Sequence, residues 1–204
     1  LQFNLFASDD DLKPKPTVLP AGFDYFPDFM SPQNATLVYE HLITHLRWQQ
    51  PTIEVYGKSH LVPRLQCWMA DKGVQYHYSG KLFTASGWEH TVLDIKGQVE
   101  RATSMVFNSA LINLYRNGDD KMGWHSDDEQ ELGVSPAVVT VSLGAIRTFQ
   151  FRHNTVAETH NLELAHGSLL LMKPGVQASY KHAVPARRKI TQSRISLTFR
   201  NIVK

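Results

Sequence analysis

Late in the chain runs Arg194-Ile195-Ser196-Leu197-Thr198-Phe199-Arg200, a stretch of strict alternation. A strand turns successive side chains to opposite faces, so Ile195, Leu197 and Phe199 share one face while Arg194, Ser196, Thr198 and Arg200 share the other. Two arginines on one face of a core strand need buried anions, because an unpaired guanidinium there is very costly. Guanidinium forks bind carboxylates bidentately, and a dicarboxylate such as 2-oxoglutarate meets the need. The competing reading is an edge strand whose arginines face water.

Working outward, Leu111–Tyr115, Ala137–Leu143, Thr148–Arg152 and Ser168–Met172 are further short runs rich in β-branched and aliphatic residues, bounded by Gly, Pro and Asn. Short strands at this spacing suggest a sandwich or jelly roll. Asn113 and Tyr115 fall on one face of theirs and can add neutral hydrogen bonds to the same ligand. Upstream, Ser31-Pro32 supplies an N-cap and a proline at the first helical position, opening a helix to about Trp48. Trp88, Val92, Ile95, Val99 and Ala102 recur at helical steps and predict a second helix. Between the helices, Gly57, Gly73 and Gly80 punctuate strands and hairpins over 52–84, and Pro14 and Pro16 mark residues 1–20 as an extended arm. The class is α+β: two helices supporting a β-core over 105–204, within one domain over 21–204.

The 204 residues are 42% hydrophobic and 20% charged, ordinary for a globular protein. No apolar run is long enough to span a bilayer, so no membrane partner is expected. Cys67 is the lone cysteine, which rules out an intramolecular disulfide and a cysteine-based zinc knuckle and fits a reducing compartment. A net charge of +2 does not announce a nucleic-acid partner, but its distribution includes the basic run Arg187-Arg188-Lys189 and the pair Lys58 and Arg64.

His125-Ser126-Asp127 places an imidazole and a carboxylate on one face of a strand or its frayed end. Such a pair alone carries little. His182 follows the strand Ser168–Met172 and the turn Lys173-Pro174-Gly175, and two His with one carboxylate make the facial triad of non-haem Fe(II) oxygenases. A hydrolytic zinc site fits less well, since two arginines beside the metal would have no task.

Taken in order, Leu111-Ile112-Asn113-x-Tyr115-x-x-Gly118, His125-x-Asp127-x-Glu129, His182 and Arg194-x-x-x-x-x-Arg200 resemble the AlkB family of oxidative demethylases, most of all the homologues acting on double-stranded DNA. The likeness runs through 52–202 and includes Phe149-x-Phe151-Arg152-His153 and Leu164-Ala165-His166-Gly167-Ser168. It implies a double-stranded β-helix (jelly-roll) core with a nucleotide-recognition lid of hairpins over 52–84. It implies Fe(II) on His125, Asp127 and His182, and 2-oxoglutarate, used with O2, held by Asn113, Tyr115, Arg194, Ser196, Thr198 and Arg200. Ser196 departs from the family's usual Asn and reaches less far.

On the substrate side, the resemblance makes Tyr56 an aromatic finger that fills the gap left by a flipped base. Tyr76 and Tyr78 line the lesion pocket, with His166 a further candidate, and Glu129 contacts the edge of a cationic base. Arg187, Arg188 and Lys189 grip the second strand, and Lys58 and Arg64 are expected to contact substrate. The implied reaction is repair of 1-methyladenine and 3-methylcytosine, with bulkier etheno adducts as further candidates, in alkylated DNA, duplex favoured over single strands, by a monomer. Its rivals are the same chemistry on RNA or a protein side chain, and a catalytically silent nucleic-acid binder. Gln2-Phe3-Asn4-Leu5-Phe6 resembles sliding-clamp-binding peptides, against the reading that the arm packs on the fold. The expected location is the cytoplasm of a bacterium, or the nucleus if the source is eukaryotic.

Overall fold

The computed structural model describes residues 19–55, 57–78, 81–85 and 87–203, with the backbone alone for 55, 76–78 and 81–84. Strand β1 (Phe23–Phe26) leads into helix α1 (Pro32–His45). The Ser31 side chain accepts from the Asn34 N–H and caps α1, with proline where the helix has no use for an N–H. The helix is shorter than expected. Leu46 leaves helical geometry at ψ 144°, and the Trp48 indole folds back to donate to the Ile43 carbonyl.

Strands β2 (Thr52–Val55) and β3 (Lys58–Leu61) form a hairpin, β4 (Leu65–Ala70) follows, and β5 (Gln75–Tyr78) pairs with β6 (Lys81–Thr84). Helix α2 (His90–Thr103) starts on Glu89, whose carboxylate accepts from the Val92 N–H. Then come β7 (Ser109–Tyr115), β8 (Met122–His125), β9 (Val138–Gly144), β10 (Arg147–His153), β11 (Thr159–Leu164) and β12 (Ser168–Met172). A one-turn helix α3 (Val176–Ser179), β13 (Tyr180–Val184) and β14 (Arg194–Arg200) complete the chain.

The strands build two antiparallel sheets, ordered β1-β12-β9-β14-β7-β4 and β11-β10-β13-β8. Their facing sides share a core in which Phe149, Phe151 and Leu162 from the smaller sheet meet Val138, Leu170 and Met172 from the larger. Ile195, Leu197 and Phe199 point the other way, into a second core with Val38 and Leu42 of α1 and Val92, Ile95 and Val99 of α2. Each such buried aliphatic side chain contributes roughly 1.5–3 kcal/mol. β14 therefore has a helical layer on one face, a sheet on the other and strands on both sides. All its residues are buried, and the water-facing edge strand is excluded. This is the expected jelly-roll core with two supporting helices.

The segment 52–84 differs from the expectation. β4 is no part of a lid: it pairs along β7 from Leu65↔Leu114 to Ala70↔Ser109, inside the large sheet. Leu65, Cys67 and Met69 alternate into the helical core, which draws the segment into the fold and leaves two separate hairpins on either side. β1, also outside 105–204, is the other edge of the same sheet.

Candidate active site

β8 and β13 are neighbours with His182 opposite His125, and Asp127 follows as the chain leaves β8. His125 Nε2 lies 4.0 Å from Asp127 Oδ1, and His182 Nε2 lies 3.8 Å from Asp127 Oδ2. One ligand atom from each of the three falls within 4.8 Å of the others. The His125 Nδ1 sits 2.9 Å from the Gly123 carbonyl, to which it can only donate, so in the neutral ring the lone pair falls on Nε2. Burial, aided by the neighbouring His125, pushes the His182 pKa down to about 3 and keeps that ring neutral. Burial opposes ionisation of Asp127, but the charge and the hydrogen bond of the Arg200 guanidinium work against it, and the carboxyl's pKa is lowered.

Asp127 is 2% exposed, and its Oδ2 has no hydrogen-bond partner among the described residues. A desolvated anionic oxygen facing two imidazole nitrogens fits a divalent cation and little else. The residues therefore suit the Fe(II) that the triad implies. Supporting contacts hold them in place. The buried Gln177 side chain of α3 accepts from the Asp127 N–H at 2.9 Å, and Ser126 Oγ donates to the Tyr180 carbonyl. Arg200 Nη2 donates to Asp127 Oδ1 at 2.5 Å.

The same cavity is lined by Asn113, Tyr115, Arg194, Ser196, Thr198 and Arg200, the set expected for 2-oxoglutarate. Register explains the convergence: Arg194 lies opposite Tyr115, and Ser196 opposite Asn113. Arg194 is 1% exposed, lies over the Tyr115 ring and donates from Nη2 to Ser142 Oγ, yet its Nε and Nη1 have no hydrogen-bond partner among the described residues. Burial lowers its pKa to about 10, so it stays cationic at neutral pH. A buried guanidinium with idle donors fits a carboxylate ligand. Arg200 differs, since Asp127 already supplies it with an anion.

Among the substrate-side residues, Arg187, Arg188 and Lys189 are exposed on the loop after β13, and Lys58 is exposed at the start of β3. Arg187 Nη2 donates to Thr148 Oγ1 at 2.8 Å. The loop is mounted from behind. The fully buried Arg147 donates to the carbonyls of Asn117, Asp120 and Pro185, and Gly118 exchanges backbone hydrogen bonds with Arg187 and Ile190. Arg64 corrects the expectation of a surface cation: it is 3% exposed and donates to Asn113 Oδ1. Burial behind the cavity bars it from gripping a strand at the surface. Glu129 is half-buried beside a 3-10 turn at Gln130–Leu132. His166 accepts from the Gly144 N–H and meets Thr36 Oγ1, pinning α1 to the sheet. Tyr56 and the arm peptide 2–6 lie outside the described residues, and Tyr76 and Tyr78 are placed by backbone only, on β5.

Gln66, Arg147 and Gln177 are additions that the motifs did not flag. Arg147 carried a usable signal, because its alternation with Phe149 and Phe151 turns it inward. Gln66 and Gln177 carried none.

Two sheets enclosing a His-Asp-His cluster and an inward-facing arginine define an oxygenase of the non-haem iron class, and comparison with known proteins agrees. Residues 22–200 match the 2OG-Fe(II) oxygenase superfamily, and the chain belongs to it. Within that class it is similar to mouse DNA oxidative demethylase ALKBH2, 38% identical over 159 residues that cover 74% of this chain and 66% of the relative. It is also similar to human alpha-ketoglutarate-dependent dioxygenase alkB homolog 3, 35% identical over 187 residues covering 87% of this chain and 65% of the relative. The chain thus spans just under two thirds of the length of these relatives. Among solved structures, OsALKBH1 superposes with a TM-score of 0.66 at 15% identity, covering 91% of this chain and 99% of that one. At that identity the likeness speaks for the fold alone.

Proposed function

We propose that this protein removes alkyl groups oxidatively from damaged DNA bases, consuming O2 and 2-oxoglutarate and releasing formaldehyde, succinate and CO2. The observation that carries the reading is one cavity that holds the half-buried His125 and the buried Asp127 and His182 together with the Arg194 donors that no described residue engages. The name of the similar mouse protein supports demethylation of DNA as the task, and that of the human one supports the use of 2-oxoglutarate.

His125, Asp127 and His182 would hold Fe(II), which when bound supplies the power to activate O2 against a C–H bond. Arg194 neutralises a co-substrate carboxylate, and Ser142 fixes the guanidinium that does so. The hydrophobic wall of Phe149, Leu164 and Met172 keeps bulk water from the site. A base stacked in a duplex cannot reach this depth, so the target base flips out. The exposed Arg187, Arg188 and Lys189 hold phosphates without reading sequence, and Tyr56 fills the vacated stack. Duplex DNA is the preferred form on this reading.

The test is an anaerobically iron-loaded protein offered single- and double-stranded oligomers carrying one 1-methyladenine, with and without 2-oxoglutarate. Base restoration with formaldehyde release, faster on the duplex and weakened by Tyr56→Ala, is the expected result. Succinate formed without repair of either DNA form would keep the oxygenase and reject DNA as its substrate.

A further inference from the structure

Asn113 reaches the cavity from β7, and its carboxamide can present either an acceptor oxygen or a donor NH2 to a ligand. Its neighbours remove the choice. Arg64 Nε lies 2.8 Å from Asn113 Oδ1, and a guanidinium N–H only donates, so the atom facing it is the oxygen. The Gln66 NH2 donates to the same oxygen at 3.0 Å. Both neighbours are buried, at 3% and 6% exposure, and Gln66 stands directly across from Asn113 in the β4–β7 pairing. With its oxygen doubly engaged, Asn113 has only Nδ2 left, and among the described residues no protein acceptor meets it.

We propose that Arg64 and Gln66 are positioning residues that set the polarity of the co-substrate pocket. By occupying the Asn113 oxygen they turn its NH2 to the cavity, as a donor matched to a carboxylate or keto oxygen of 2-oxoglutarate. This rests on the assignment of the cavity to that co-substrate. Without Arg64 only Gln66 holds the orientation, and its own carboxamide can turn over with that of Asn113, which would set oxygen against oxygen in the cavity. Arg64 Nη1 also approaches the Lys121 carbonyl at 3.4 Å. One side chain thus joins the exit of the β2–β3 hairpin to the segment that leads into β8 and its His125.

The test is calorimetric titration of 2-oxoglutarate into the full chain loaded with Mn(II) without O2, which reads binding and not turnover. Loss of one oriented hydrogen bond to a charged group predicts at least about tenfold weaker binding for Arg64→Met, and likewise for Asn113→Ala. The double variant should bind no more weakly than Asn113→Ala, because Arg64 acts through Asn113. Additive losses, or unchanged binding by Arg64→Met, would overturn the proposal. Asn113→Asp guards against a folding artefact: it keeps the acceptor for Arg64 and Gln66 but has no NH2. It should melt no lower than the parent yet lose co-substrate affinity, and wild-type affinity in that variant would equally overturn the idea. If the parent protein binds Mn(II) but no 2-oxoglutarate, the reading of the cavity fails before the role of Arg64 is reached.

Discussion

Replacing Gly118 by alanine should unseat the basic loop while leaving the metal site whole. A Cβ at Gly118 would sit 1.8 Å from the Arg187 carbonyl oxygen, 2.6 Å from its carbon and 2.9 Å from the Ile190 oxygen. All are backbone atoms, so no rotamer change relieves the clash, and the seam must open by about 1.5 Å to restore ordinary contact. Opening breaks the bond from the Gly118 N–H to the Ile190 oxygen (2.7 Å) and that from the Arg187 N–H to the Gly118 oxygen (2.6 Å). At about 1 kcal/mol each, the loss is about 2 kcal/mol. The penalty stops there, because the loop can peel from the sheets without unfolding them. For a chain of this size that loss lowers Tm by about 4–8 °C. Hydrogen exchange at the Gly118 and Arg187 amides should quicken about 30-fold, at 1.4 kcal/mol per decade. Binding of a duplex oligomer should weaken, with 2-oxoglutarate binding unchanged. A Tm within about 1 °C of the parent, with unaltered exchange at both amides, would refute the reasoning.

Arg194→Met should cost the ligand-free protein little or even stabilise it, since two guanidinium nitrogens are buried without a hydrogen-bond partner among the described residues. Its 2-oxoglutarate affinity should fall by about 100-fold, and urea unfolding beside calorimetry checks both halves. Gln177→Leu removes the acceptor for the Asp127 N–H, and chelator competition should show metal affinity reduced about tenfold. Glu89→Ala removes the cap of α2 at a cost of about 1 kcal/mol at neutral pH. Burial raises the Glu89 pKa, but hydrogen bonds from His41 and from the Thr91 and Val92 N–H groups bring it below 4.5. That stabilisation is therefore complete above the ordinary carboxylate range and lost as pH falls through the lowered value, so the gap between parent and variant in urea unfolding should narrow on acidification.

β14 and β12 run over the residues that alternation and their flanking turns marked, because both depend on a local pattern the eye can follow. The triad was equally accessible, since chemistry restricts which side chains hold iron. β4 was not: Leu65–Ala70 lies between two glycine-punctuated hairpins, and only its pairing with β7, from Ala70↔Ser109 to Leu65↔Leu114, separates it from them. Arg64 was misread for the same reason. A cation after a proline looks solvated until Asn113 arrives from another strand to accept its hydrogen bond. Arg147 lay within reach of the argument used for Arg194, but its partners are backbone carbonyls, which carry no trace in a list of side chains.

That choice of partners has an evolutionary consequence. The loop after β13 is seated by main-chain atoms: Arg147 takes the Pro185 carbonyl, and Gly118 meets Arg187 and Ile190 backbone to backbone. Among the described residues, only the outer contacts, Arg187 to Thr148 and Arg188 to Asp119, depend on which side chains the loop carries. A socket that grips the backbone accepts many inserts. Residues 186–189 can exchange basic for neutral or acidic side chains, and so drift between kinds of substrate, while the socket and the iron ligands beside it stay as they are.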